Sequence, residues 1–300
     1  MSSLRSNNGP RIKYTPEDSP YEAITVDKLT PIIGAEIGDV DLRAPSNRQM
    51  DEIHRALAEN LVIFFRDQHI TPAQHLAFGR RFGELHIHPA APHEGDDPAL
   101  MKIYADKDSP RANGEGWHSD VSCDAEPPMG SILYIKQCPP RGGDTLFANQ
   151  YLVWESLSDA MQGMLRPLRC VNSSAKADVS RTREDRMRGD HAAGSAAEPP
   201  RQFAAEHPVA RTHPETGRTA LYVNIAHSHH FAGMTEAESA PLLGYLFAQQ
   251  VRPEFTCRFS WAPGSVALWD NRCTLHNPVN DYQGFRRAMH RITLAGDVPI

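Results

Sequence analysis

Apolar and polar positions change over short distances along this chain, and the pattern predicts many short strands and few helices. Leu61-Val62-Ile63-Phe64-Phe65 is the longest apolar run and predicts a strand buried on both faces. Alternation between residues 24 and 42 predicts two more short strands. From Met129 onward the pattern is β-rich, with strands expected at 131–137, 145–148, 208–212, 220–223, 255–261, 265–269 and 287–295. His213-Pro214-Glu215-Thr216-Gly217 reads as a turn between two of them. Ser46 can cap a helix running to residue 60, with Met50, Ile53 and Leu57 on one face. Thr71-Pro72-Ala73-Gln74 is a capping box with proline at the first helical position, and Gly83 stops that helix. Helices are also expected at 151–165 and at 235–250, the second opened by Thr235-Glu236-Ala237-Glu238. This element list predicts an antiparallel sandwich or jelly roll with flanking helices, not a doubly wound sheet.

Residues 1–20 are rich in Ser, Asn and Pro and are expected to form a loose arm before a single domain over 21–300. Residues 172–201 carry Arg181, Arg183, Arg186 and Arg188 but no aromatic side chain, and are expected to be a mobile lid or a solvated loop. The chain has 300 residues, with Lys plus Arg at 31, Asp plus Glu at 37 and a net charge of −6. That balance argues against a nucleic-acid or anionic-membrane binder working by bulk charge. No apolar run approaches the ~18 residues of a membrane span, and the polar start shows no secretory signal. The five cysteines are scattered without a Cys-x-x-Cys pair, so the cytoplasm is the expected compartment.

Fifteen histidines change the picture. In Trp117-His118-Ser119-Asp120, an imidazole and a carboxylate two residues apart on a strand would share a face. His276, 156 residues after Asp120, could supply a third ligand. Two histidines and one carboxylate leave coordination positions open, the donor set of non-haem Fe(II) oxygenases. Alone, a His-x-Asp pair is common in ordinary structural settings. His86-Ile87-His88 and the group His227, His229 and His230 compete for the same role, or are simply polar surface. Gly142-Gly143-Asp144-Thr145 opens a strand beginning 27 residues after His118, and Arg287 and Arg291 follow His276 by 11 and 15 residues. Their even spacing can put both guanidinium groups on one face, where an arginine and a threonine hydroxyl would receive a dicarboxylate.

Taken in order, these segments resemble the taurine/2,4-dichlorophenoxyacetate dioxygenase family of Fe(II)/2-oxoglutarate oxygenases. The resemblance is carried by Ile33-Gly34-Ala35-Glu36-Ile37 and Arg80-Arg81-Phe82-Gly83-Glu84-Leu85-His86-Ile87-His88-Pro89. It continues through Trp117-His118-Ser119-Asp120, Gly142-Gly143-Asp144-Thr145-Leu146, Trp269-Asp270-Asn271-Arg272, His276 and Arg286-Arg287-Ala288-Met289-His290-Arg291. It implies a double-stranded β-helix of the cupin-like jelly-roll class. It also implies Fe(II) on His118, Asp120 and His276, and the distal carboxylate of 2-oxoglutarate on Thr145 and Arg287. An anionic substrate head would sit on Arg291, His88 and the backbone N–H of Val121, with no catalytic side chain beyond the metal site. O2 would be the second cosubstrate, succinate and CO2 the products, and a homo-oligomer the assembly.

The chain departs from the taurine enzymes in the pocket. Ala91 stands where they carry tyrosine, Gly114 (beside Asn113) where they carry asparagine, and His227 where they carry an aromatic residue. The expected substrate is therefore a small organic anion of the sulfonate type, with taurine a poor one and alkyl sulfates or aryloxyalkanoates as alternatives. A non-catalytic cupin-like metal- or ligand-binding module is the competing class.

Overall fold

The computed structural model describes residues 19–87, 97–108, 116–175 and 203–300. Most of the expected arm and of the expected lid or loop lies outside the described residues, as does His88. Of the 172–201 segment, Asn172 and Ser173 end the strand Arg169–Ser173.

Two sheets face each other. The larger has the order Thr25–Lys28, Ala35–Gly38, Val62–Phe65, Val266–Asp270, Gly130–Gln137, Arg287–Leu294 and Leu85–His86, with Leu100–Ala105 also paired to Arg287–Leu294. The smaller holds Thr145–Asn149 between Thr256–Phe259 and Thr274–Pro278. Side chains alternate across each strand, so parity decides which core a residue joins. Phe64, Leu133, Ala267, Trp269 and Met289 point inward, onto Phe147 and Phe259 of the smaller sheet. Ile63, Phe65, Ile132, Leu268 and Ile292 point outward, under two helices. This is the mostly β jelly roll with flanking helices that the strand pattern predicts.

The two covering helices are Asn47–Asn60 and Pro72–Arg80, each opened by a reciprocal capping box, Ser46 with Gln49 and Thr71 with Gln74. Met50, Ile53 and Leu57 are buried as their spacing predicts. Burial of each such side chain contributes about 1.5–3 kcal/mol. The helix expected over 151–165 is two helices, Gln150–Ser156 and Asp159–Leu165, because Ser158 caps a new one by accepting the Met161 N–H. The strand expected over 208–212 is broken into Ala204–Pro208 and Ala210–Thr212 at the buried Val209. Leu100–Ala105 and Thr274–Pro278 are strands that the apolar pattern did not announce. Among the described residues no helix is long and apolar enough to cross a membrane.

His75 lies at 1% exposure under the larger sheet, edge-on to the Tyr134 ring at 6.0 Å. Burial pushes its imidazole down to about 3. A neutral histidine in the fold and one near 6.5 in the unfolded chain make no pH contribution above about pH 6.5. Below that the unfolded state takes up the extra proton, so stability falls until the folded value is reached. The expected loss from His75 is roughly 2–3 kcal/mol at pH 4.5. In urea titrations from pH 7 to 4.5, a His75→Leu variant should lose less stability than the parent; equal losses would show that His75 does not carry the effect.

Candidate active site

The site is assembled by one backbone pairing. His118 N–H donates to His276 O at 3.0 Å and His276 N–H to His118 O at 2.9 Å, an isolated antiparallel bridge. The two rings come to 4.1 Å between centroids. The strand expected through Trp117–Asp120 is not there: His118 makes this one bridge and the chain then turns. Asp120 reaches the histidines from the turn. Its Oδ1 lies 3.7 Å from His118 Nε2 and 3.6 Å from His276 Nε2, too far for hydrogen bonds. One ligand atom from each residue lies within 4.8 Å of the other two, and all three residues are buried. Ligand bonds of about 2.1 Å put two ligands of one ion roughly 3–4 Å apart, so the spacing fits a divalent metal.

Neighbouring groups hold His118 and the turn that carries Asp120 in place. His118 Nδ1 meets Gly116 O at 2.9 Å, which directs Nε2 toward the carboxylate. Ser119 Oγ donates to Asn271 O, and Asn271 Oδ1 accepts from Trp269 Nε1 at 2.9 Å. Asn224 Nδ2 donates to Ser122 Oγ, anchoring the turn from the other side. Val121 within it has φ of 46°, a left-handed pose that a β-branched residue holds only under strain.

Asp120 uses its two oxygens differently. Oδ1 faces the imidazoles, while Oδ2 accepts from Ser131 Oγ at 2.9 Å and is ion-paired to Arg291. Burial alone would raise this carboxyl. Arg291 and the two imidazoles outweigh it and hold Asp120 well below the usual carboxylate range. Burial lowers both His118 and His276, with His118 lowering His276 further, so both rings are neutral near pH 7 and able to ligate. Ser131 also accepts from Arg291 at 2.8 Å. The sequence reading missed Ser131; the available signal was a serine at the inward parity of a strand whose next inward positions are Leu133 and Ile135.

Arg287 and Arg291 do share the inward face of Arg287–Leu294, as their spacing predicts, with Met289 between them. Arg287 is 6% exposed and donates through Nη2 to Gly143 O at 3.1 Å, while its buried Nε has no hydrogen-bond partner. A buried guanidinium with an unused N–H fits an absent anion. Gly142 and Gly143 have φ of 75° and 72°, and a Cβ on Gly142 would stand 2.6 Å from Asp281 Oδ1. Two adjacent glycines therefore let the turn pass under Asp281, whose Oδ1 accepts the Gly143 N–H at 2.7 Å. Thr145 follows, buried, its Oγ1 accepting from Trp261 Nε1 at 3.0 Å.

Among the described residues, the competing histidines His86, His227, His229 and His230 are not drawn into a metal-ligand group with these three. His86 faces Asp124, at 3.9 Å. His229 and His230 pair with each other through Nδ1 at 2.9 Å, and His227 is buried on the turn tied to Ser122. A second close group, His213, Asp270 and Cys273, has its donors committed elsewhere. His213 Nδ1 accepts two backbone N–H groups, so Nε2 carries the proton donated to Asp270 at 3.0 Å. Arg272 grips Asp270 and Glu215 at once. This network fixes the turn that carries Asn271.

Residues 25–293 match the family model "Taurine catabolism dioxygenase TauD, TfdA family". The chain belongs to the TauD/TfdA dioxygenase family. An alkylsulfatase of Acinetobacter baylyi is 33% identical over 93% of this chain and 87% of its own. A Pseudomonas putida alpha-ketoglutarate-dependent sulfate ester dioxygenase is 33% identical over 89% of this chain and 88% of its own. The crystal structure of a taurine dioxygenase from Burkholderia xenovorans superposes with a TM-score of 0.78 at 37% identity, over 93% of this chain and 91% of that one. Membership in the TauD/TfdA family covers both sheets and every described candidate residue.

The Asp270 network gives a stability test. Arg272→Ala strands a buried carboxylate and should cost about 3–5 kcal/mol in urea unfolding. Arg218→Ala breaks an exposed pair with Glu155 and should cost less than about 1 kcal/mol. Similar losses in the two variants would mean that Asp270 is not held by Arg272.

Proposed function

We propose that this dioxygenase hydroxylates a C–H beside a heteroatom in a small sulfonate- or sulfate-type anion, with Fe(II), 2-oxoglutarate and O2 as its cofactor and cosubstrates. His118, Asp120 and His276 hold the iron, Thr145 and Arg287 the distal carboxylate of 2-oxoglutarate. Arg291, His88 and the Val121 N–H hold the substrate head. The observation that carries this reading is the convergence of two neutral imidazoles and one ionised carboxylate, with the buried Arg287 and the partly buried Arg291 on the inward face of one strand.

When bound, the iron with 2-oxoglutarate and O2 supplies the oxidant that turns C–H into C–OH, giving succinate and CO2. The chain's part is to bind, orient and exclude water. Arg287 gives the dicarboxylate a charge-assisted anchor where water is excluded, and its unused Nε is a donor ready for that carboxylate. Arg291 offers a planar fork to a head with paired oxygens, and this fixes which carbon lies nearest the metal. Hydroxylation next to sulfur or oxygen gives a product that breaks its C–S or C–O bond without further help. A sulfate ester is favoured over an aryloxyalkanoate by the two relatives named for sulfate chemistry. The five free cysteines agree with a cytoplasmic site of action. A homo-oligomer is the assembly that the family resemblance suggests.

His118→Ala, Asp120→Ala and His276→Ala should each abolish Fe(II) and Mn(II) binding in calorimetry, whereas His86→Ala should retain it; unchanged affinity in all three would remove the site. Succinate release should be faster with longer alkyl sulfates or alkyl sulfonates than with taurine, whose ammonium meets no side-chain acceptor at Ala91 or Gly114. Arg291→Lys should lower kcat/KM strongly although it keeps the charge. Taurine as best substrate, or a fully active lysine variant, would contradict the head-group assignment.

A further inference from the structure

We propose that Trp261 is a positioning residue for 2-oxoglutarate: its indole N–H fixes the Thr145 hydroxyl so that the Thr145 O–H points to the cosubstrate carboxylate, and its ring backs Arg287. The proposal rests on the assignment of Thr145 and Arg287 to that carboxylate. An indole nitrogen can only donate, while a threonine hydroxyl has one proton and two lone pairs. The 3.0 Å contact from Trp261 Nε1 to Thr145 Oγ1 therefore uses a lone pair and leaves the threonine proton directed elsewhere. Among the described residues that proton has no acceptor. A dicarboxylate held by Arg287 would supply one.

The indole is itself well anchored. It is 8% exposed, packs edge-on to Phe259 at 5.0 Å, and its backbone oxygen accepts from Cys138 Sγ at 3.3 Å. Phe259 is paired across the sheet with Thr145, and Trp261 lies two residues further on. The Arg287 guanidinium carbon is 5.9 Å from the indole ring centroid and 5.6 Å from the Tyr282 ring centroid, so two aromatic rings lie near the cation. One side chain thus touches both residues of the carboxylate receptor. Without its N–H, the Thr145 hydroxyl is free to rotate, and part of the donor's preorganisation is lost.

The test is calorimetric titration of 2-oxoglutarate into Mn(II)-loaded protein for the parent, Trp261→Phe, Thr145→Val and the double variant. Benzothienylalanine placed at position 261 keeps the ring system and removes only the N–H, which covers a phenylalanine variant that fails to fold. The expected result is a Kd raised about two- to tenfold in each single variant, the range of one neutral hydrogen bond. With benzothienylalanine at 261, which keeps the ring against Arg287, the double variant should bind no more weakly than Thr145→Val alone, since the contact needs both partners. Mn(II) affinity should not change, and in turnover the loss should fall on KM for 2-oxoglutarate rather than on kcat. Parent-like binding after removal of the 261 N–H, or losses that add in the double variant, would overturn the proposal. Parent-like binding in Thr145→Val would instead overturn the assignment of Thr145 to the cosubstrate, and the proposal with it.

Discussion

Two backbone hydrogen bonds between His118 and His276 are the constraint on which the centre of this molecule depends. They join a loop from the first half of the chain to a strand of the smaller sheet, and they set the distance between two imidazoles before any side chain adjusts. The rest of the site is built outward from that pair. Phe147, opposite His276 in the register, stacks near its ring, and Trp269 closes on it at 4.7 Å between centroids. Asp120 then needs only one turn of chain to complete the trio, and Asn271 and Ser122 tie that turn to separate elements. The strain at Val121 is the cost of so short a route.

A buried ionised carboxylate is costly unless it is paired and hydrogen-bonded. Asp120 meets that requirement through Arg291 and Ser131, both on neighbouring strands of the larger sheet. Asp270, two residues before Arg272, meets it through Arg272 and His213. The two carboxylates face different tasks. Asp270 has every oxygen committed to the chain's own cations and is closed to a ligand. Asp120 keeps Oδ1 turned toward the two neutral histidine nitrogens, at distances no hydrogen bond would choose. The difference between a structural acid and a ligating one lies in those leftover lone pairs.

Much of this was legible in the residues. Strand parity predicted that Arg287 and Arg291 face one way, and the capping residues Ser46, Thr71 and Thr235 placed three helix starts. The gathering of His118, Asp120 and His276 was visible only as spacing together with a family resemblance, since nothing local tells a chain which distant histidine it will pair with. The expectation of a strand through Asp120 failed because a single bridge pair followed by a turn has no periodic signature. The break at Ser158 was hidden because serine caps a helix as readily as it sits on its polar face. Ser131 and Trp261 went unnoticed for a different reason. A serine or tryptophan in an apolar strand looks like filler until its hydrogen-bond partner is known.

On the proposed function, Arg291 has one guanidinium for two anions. It lies against the Asp120 carboxylate and bonds Ser131, in the place where a substrate head is expected. An anion that engages this arginine draws positive charge away from Asp120, and a change at Asp120 alters what the arginine can offer the anion. Free energies of this kind are reciprocal. If Arg291 holds the head group as proposed, the affinity of the metal trio and the affinity for that head are one thermodynamic linkage, carried by a single side chain.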